Sequence, residues 1–148
     1  MKAFEIEDNF LHQVEIDFSY LLNEFGFTID SIERKGSHIL INFLNKPLIV
    51  KIMYDLRDEI IFINLSNVIN DVVSDNNDEK NSIALVDLVR YFDPEYNINQ
   101  LLPIQCDFSK PLKENAKMLL KYGREILKGK KIIAFEKGDY PAQNAIKK

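Results

Sequence analysis

The first residues that could carry chemistry are Asp8, His12 and Glu15, which recur at three- to four-residue spacing on one predicted helix. A row of carboxylate, imidazole and carboxylate could hold a metal ion or transfer a proton. The same helix needs polar residues on its solvent side in any case, because its apolar residues form a stripe on the other side. No fourth partner is visible in the sequence, so we interpret the row as a solvated helix face.

A second charged group is the segment YDLRDE, which lies between two predicted strands and contains Asp55, Arg57, Asp58 and Glu59. Paired carboxylates can act as a general acid and a general base, but they need burial or an apolar pocket to shift their pKa values. A short charged hairpin is usually exposed to water. We therefore interpret this segment as a hairpin tip rather than as an active site.

The remaining signals for metal or nucleophile chemistry are weak. The acidic run 75–79 offers oxygen ligands, but it lacks the central glycine and the correctly placed terminal glutamate of a calcium loop. Cys106 is the only cysteine, which excludes an internal disulfide and a multi-cysteine metal site, and it is typical of a buried small hydrophobic residue. We predict no catalytic residue, no bound metal and no cofactor.

Lys113, Lys117 and Lys121 recur at every fourth position of a predicted helix, and such a row could contact the phosphates of a nucleic acid. Glu114 and Glu125 interrupt the positive charge. The sequence also lacks an arginine-rich base-reading face, a glycine-rich phosphate loop and helix-turn-helix spacing. We predict no specific nucleic-acid binding and interpret the row as a solvated basic face.

An α+β domain must position these residues. Apolar residues from Asp8 to Phe25 recur at helical spacing, and Gly26 is a natural stop. Four extended runs follow: FTIDSIER, HILINFLN, PLIVKIMYD and EIIFINLS. Their short connections predict a four-stranded antiparallel meander. Both faces of this sheet are apolar, so we expect the first helix on one face and the C-terminal helices or a second subunit on the other.

Residues 67–81 are polar and acidic, and they predict a mobile acidic loop. A helix is predicted from near Ser82 to just before Pro94, and another from about Lys110 to Lys128. We expect both C-terminal helices to pack on the sheet. The length of 148 residues suits a single α+β domain spanning residues 1–148.

Charge is distributed unevenly along the chain, whose net charge is −4. Residues 1–109 hold 8 Lys/Arg and 19 Asp/Glu, a net −11, whereas residues 110–148 hold 11 and 4, a net +7.

No apolar run approaches the roughly 18 residues of a membrane helix, and acidic residues follow the first methionine closely. With a single cysteine, these features predict a cytoplasmic protein without membrane contacts. Abundant Ile, Asn and Lys are typical of an AT-rich bacterial genome.

Three segments, LNEFGF, VKIMYDLRDEIIFINL and LLKYGREILKGK, occur in the order helix, meander, helix, helix. In this respect the chain resembles small uncharacterised bacterial α+β proteins, some of which are placed among the immunity proteins of polymorphic toxin systems. The resemblance covers most of the chain outside residues 67–81. It implies a non-enzymatic protein that occupies the active site of a toxin or blocks its entry, and it carries over no catalytic residue.

We therefore expect a protein-binding module, and the resemblance implies an immunity protein whose acidic surface attracts a basic toxin. Two alternatives stay open, namely a small acidic secretion-type chaperone that dimerises and an enzyme of unknown type. A homodimer through the second sheet face would also explain the two apolar faces. The predicted protein-binding residues are Asp55, Arg57, Asp58, Glu59, Asp71, Asp75, Asp78 and Glu79.

Overall fold

A computed structural model describes residues 3–69, 72–73, 81–105 and 107–129 of the chain. The helices are α1 (Ala3–Asp17), α2 (Ser19–Asn23), α3 (Leu85–Phe92) and α4 (Ser109–Gly129), with a 3₁₀ turn at Ile98–Leu101. The strands are β1 (Thr28–Lys35), β2 (His38–Asn45), β3 (Leu48–Asp55), β4 (Ile60–Ile69), β5 (Val72–Val73) and β6 (Ser82–Ala84). The α+β class with an antiparallel sheet is confirmed.

The N-terminal helix begins earlier than predicted and is interrupted at Phe18. There the amide of Leu21 donates to the carbonyl of Phe18 at 2.9 Å, an i to i+3 bond tighter than that of an α-helix. This turn brings Phe18 and Leu21 into the core, where neither side chain is exposed. Gly26 then stops the helical segment with a φ of +77°, a conformation that glycine adopts without strain.

The predicted antiparallel meander is confirmed for β1 to β4. The predicted total of four strands in the sheet is wrong. Strands β1 to β4 pair antiparallel in sequence order, and both β5 and β6 also pair with β4, so the sheet has 6 strands. At the outer strand β1, the register shifts between Ile29 and Ser31, which places a bulge at Asp30.

Part of the predicted mobile loop 67–81 is ordered as strand. β4 continues to Ile69 and pairs with Val72–Val73, in a segment rich in the β-branched residues that favour strands. Asn67 fixes the entry to β6, since its amide donates to the carbonyl of Asn81 at 2.8 Å. Residues 70–71 and 74–80 of the predicted loop lie outside the described residues.

The helix predicted from Ser82 begins later, at Leu85. Residues Ser82–Ala84 form β6 instead, because the Ser82 hydroxyl is bonded to Asn64 and Ser66 of β4. The final helix is close to the prediction, beginning at Ser109 and including Gly129.

All described helices share one hydrophobic core with one face of the sheet. Phe10 of α1 packs on Tyr54 of β3, with ring centroids 5.1 Å apart, and Phe108 contacts both rings at 5.5 Å. Leu88 of α3 and Leu119 of α4 belong to the same fully buried cluster. The C-terminal helices therefore share the core on the same side of the sheet as α1; α3 contacts β4 and β6, whereas α4 lies against α3 and α1. The expectation that they cover the second face is wrong.

Candidate protein-binding surface

The second face of the sheet is built by the alternate side chains of β2, β3 and β4, because successive residues of a strand point to opposite faces. None of these side chains belongs to the hydrophobic core cluster. We call this surface the open face, because the buried apolar side chains of all described helices belong to the core on the other side. Four of its own side chains, those of Asn42, Ile49, Asn64 and Ser66, are nevertheless buried. Its residues are Leu40, Asn42, Leu44, Ile49, Lys51, Met53, Phe62, Asn64 and Ser66.

An apolar row crosses the open face. Leu40 lies opposite Met53, and Met53 lies opposite Phe62, so the register aligns three large apolar side chains on neighbouring strands. Each is partly exposed. Ile60, two residues before Phe62 on the same face of β4, is 41% exposed. Side chains directly opposite each other lie about 5 Å apart, so these residues form one contiguous apolar strip.

A buried polar cluster lies beside this row where β4 meets β6. The Asn64 amide donates to the hydroxyls of Ser66 at 2.7 Å and Ser82 at 2.8 Å, and the two hydroxyls are bonded to each other at 3.0 Å. Buried polar groups are tolerated when they satisfy one another in this way. The cluster therefore anchors β6 to β4 rather than offering groups for chemistry.

Asn42 and Lys51 lie opposite each other at the centre of the open face. The Asn42 amide nitrogen donates to the Ser31 hydroxyl at 2.8 Å, whereas its Oδ1 is buried without a hydrogen-bond partner among the described residues. Lys51 has no carboxylate within ion-pair distance in the same part of the chain. An unsatisfied buried acceptor costs about 1–3 kcal/mol, so a donor arriving with a partner would be favoured here.

The hairpin tip, residues 55–59, adjoins the Ile60 end of the open face. The Asp55 carboxylate is buried and accepts hydrogen bonds from the Ser37 hydroxyl (3.0 Å), the amides of Arg57 (3.0 Å) and Asp58 (3.3 Å), and the His38 ring (3.1 Å). Burial by itself raises the pKa of Asp55, but these hydrogen bonds outweigh it and lower the pKa. Asp55 thus holds the turn together and is not displayed on the acidic surface.

The other predicted residues of the tip remain accessible. Arg57 and Asp58 are exposed, and Glu59 is partly exposed. Arg57 Nε lies 3.8 Å from Asp58 Oδ1, a surface pair of the kind that contributes about 0–1 kcal/mol. The structure therefore places Asp58 and Glu59 at the rim of the open face. Four predicted binding residues, Asp71, Asp75, Asp78 and Glu79, lie outside the described residues.

The other candidate rows do not converge on a chemical site. Asp8 binds the Arg34 guanidinium at 2.8 Å, while His12 and Glu15 are exposed. The described part of the chain contains no group of three His, Cys, Asp or Glu residues that could hold a metal ion, and Cys106 lies outside it. Nor does any described helix combine the length and apolarity needed to cross a bilayer.

Comparison of the chain with protein-family models, with curated proteins and with solved structures gave no match. The geometry of the open face and of the hairpin tip is therefore the basis for a functional proposal. The acidic turns are the more conspicuous feature of the sequence, but the sequence also contains a signal for the open face. Leu40, Met53 and Phe62 alternate with core residues in three successive strands.

Proposed function

We propose that the chain is a non-enzymatic protein-binding module that receives its partner on the open face. The observation that carries this proposal is the apolar row of Leu40, Met53 and Phe62, continued by Ile60, on the side of the sheet opposite every described helix. Contiguous apolar surface of this kind is unfavourable in water and marks interaction sites.

The surroundings of the row suit an interface with another protein. Specific interfaces combine an apolar centre with a polar rim, and the centre contributes most of the binding energy. Here the rim includes the acidic side chains of Asp58, Glu59 and Glu33 together with the basic side chains of Arg57 and Lys35, while Lys51 lies at the centre. The matching partner presents apolar side chains to the row, basic groups around the tip and an acceptor for Lys51.

Within this class, we favour an immunity protein that neutralises a toxin by direct binding. The resemblance of the chain to such proteins supports this choice, and an acidic rim suits a basic nuclease toxin because opposite charges accelerate association. Binding would block the toxin without any reaction by this chain, so the proposal assigns no residue a catalytic role.

The experiment starts with the tagged chain purified from its source cells, and mass spectrometry identifies the protein that accompanies it. The purified pair is then titrated with the wild-type chain and with Phe62→Asp. We expect a loss of at least about 2 kcal/mol, more than tenfold in Kd, because a charge replaces an apolar anchor. Ile104→Asp is the matched control, since Ile104 is 71% exposed but belongs to the loop before α4 rather than to the sheet.

Equal affinity of Phe62→Asp and the wild-type chain would refute the open face as the docking surface. The same conclusion would follow if Ile104→Asp lost as much affinity as Phe62→Asp. Light scattering of the purified chain adds a second readout. A dimer that Phe62→Asp converts to monomers, with no other protein bound at this face, would identify the occupant as a second copy and contradict a separate partner.

A further inference from the structure

A groove separates α4 from the end of α1 and from α2. On one wall, α4 contributes basic side chains and two apolar residues, Ala116 and Leu120. The other wall is formed by α1 and α2. The groove is open to solvent and has a volume of about 520 Å³, and we call it the basic groove. Its residues are Lys113, Ala116, Lys117, Leu120, Lys121 and Arg124 on one wall, and Asp17 and Tyr20 on the other.

Ion pairs close the two ends of the basic groove. Lys113 Nζ lies 3.2 Å from Asp17 Oδ1, and Arg124 Nη1 lies 2.6 Å from Glu24 Oε2. Between them, the Tyr20 hydroxyl donates to the Ala116 carbonyl at 2.7 Å and joins the two walls. The walls are thus held in place by bonds within the chain, and the groove is formed before a ligand arrives.

The two cations in the middle of the groove have no carboxylate partner in the described part of the chain. Lys117 and Lys121 are exposed, and the ring centroid of Tyr122 lies 5.1 Å from Lys121 Nζ. The two residues are one helical turn apart, about 6 Å along the axis. Like charges at this spacing repel each other, so an anion between them is favoured.

Asp17 adds an unsatisfied acceptor to the same groove. Its side chain is only 8% exposed, and its Oδ1 accepts from Lys113 and from Gln13 at 3.0 Å. Its Oδ2 is buried without a hydrogen-bond partner among the described residues. A ligand of this groove therefore gains from an N–H or O–H donor as well as from negative charge.

We propose that the basic groove binds an acidic peptide segment of another protein. Carboxylates about 6 Å apart, at alternate positions of an extended chain, match the spacing of Lys117 and Lys121. Apolar side chains between them fit the floor formed by Ala116 and Leu120, and a free backbone amide can donate to Asp17. This surface is separate from the open face, so the proposal does not depend on the function proposed above.

The groove fits other anions less well. It runs along the middle of α4, where backbone amides are used within the helix, so it has no amide cradle for a phosphate. A nucleic acid would also meet the acidic remainder of the protein, because residues 1–109 carry a net charge of −11. A short acidic segment experiences less of this repulsion than a long polyanion.

The test uses a short, capped, fluorescein-labelled peptide with glutamate at alternate positions and alanine or leucine between. Its binding to the full chain is measured by fluorescence anisotropy. We expect saturable binding that weakens with added salt, because exposed charges are screened. The matched peptide with glutamine in place of glutamate is expected to bind at least about tenfold more weakly, since it keeps the shape and loses the charge.

The variant Lys117→Glu/Lys121→Glu is expected to weaken binding of the acidic peptide by at least about tenfold at low salt. Its control is Lys110→Glu/Lys128→Glu, which makes the same change in net charge on the same helix outside the groove. This control is expected to retain most of the affinity. Circular dichroism of both variants verifies that α4 remains folded.

Three outcomes would overturn the proposal. The first is the absence of saturable binding of the acidic peptide. The second is an equal loss in the two double variants, which would show an effect of net charge alone. The third is tighter binding of a single-stranded oligothymidylate than of the peptide, abolished by Lys117→Glu/Lys121→Glu, which would identify a nucleic acid as the occupant.

Discussion

Replacing Leu119 by alanine tests whether α4 is a packing element of the core. Leu119 is fully buried, and its Cδ1 occupies the space next to Gly123, where an added Cβ would lie 3.0 Å away. The change removes three carbon groups, which corresponds to about 2.4 kcal/mol at about 0.8 kcal/mol per group. Incomplete collapse of the cavity increases the cost, so we expect a loss of about 2–5 kcal/mol in the free energy of unfolding.

The same contact predicts how Gly123 responds. In the wild-type chain, Gly123→Ala gains up to about 1 kcal/mol of helix propensity but crowds Leu119, so we expect little net change. In the Leu119→Ala background, the crowding is gone and the new methyl group fills part of the cavity. There Gly123→Ala should restore about 1–2 kcal/mol, a positive coupling between the two positions.

Urea unfolding followed by circular dichroism measures these differences, with Lys117→Ala as a surface control on the same helix. The control is expected to change the free energy of unfolding by less than about 0.5 kcal/mol. A loss below about 0.5 kcal/mol for Leu119→Ala would refute the packing of α4 described above. Additive effects in the double variant would show that Leu119 does not occupy the space beside Gly123.

The lowered pKa of Asp55 predicts that the folded state loses stability in acid. The ionised carboxylate stabilises the fold at pH values above about 3.9, and this contribution is lost as the pH falls through the lowered pKa. Denaturant midpoints of the wild type and of Asp55→Asn should converge in acid, and parallel pH profiles would contradict this. Asn115→Ala should cost about 1–3 kcal/mol in urea unfolding, because the buried Asn115 amide donates to two backbone carbonyls at 3.0 and 2.8 Å; a loss within the surface range would refute this. Burial raises the pKa of Tyr20 far above its ordinary value, and burial together with the hydrogen bond to Glu114 does the same for Tyr96, so absorbance titration should show tyrosines that ionise only on unfolding; Tyr20→Phe should reduce the amplitude of that step by one tyrosine, and an unchanged amplitude would contradict this.

The sequence predicts the sheet more accurately than the ends of its helices. The short turns that join β2, β3 and β4 leave little freedom of register, because turn length fixes which residues of a hairpin lie opposite each other. The strand at Ser82–Ala84 depends on contacts distant in sequence. For Ser82, the deciding partner is Asn64, 18 residues away, which no local pattern reveals.

The candidate site was predictable only in part, for a similar reason. Asp55 is a charged residue next to a turn, where exposure to water is the usual expectation. Its burial depends on Ser37 and His38 from another hairpin. The two apolar faces of the sheet were visible in the sequence. Which of them the helices cover was not, because both faces offer large apolar side chains at the same spacing.

The bulge at Asp30 affects how this protein can assemble. β1 is the outer strand of the sheet, and an outer strand exposes backbone groups on which another chain can add a strand. Here the bulge interrupts the regular ladder, and Asp30, Glu33 and Lys35 place charge along the strand. These features oppose edge-to-edge aggregation from this side. A partner is therefore expected to bind through side-chain contacts rather than to add a strand at β1. The specificity of this protein for a partner can then change through substitutions that leave the fold intact.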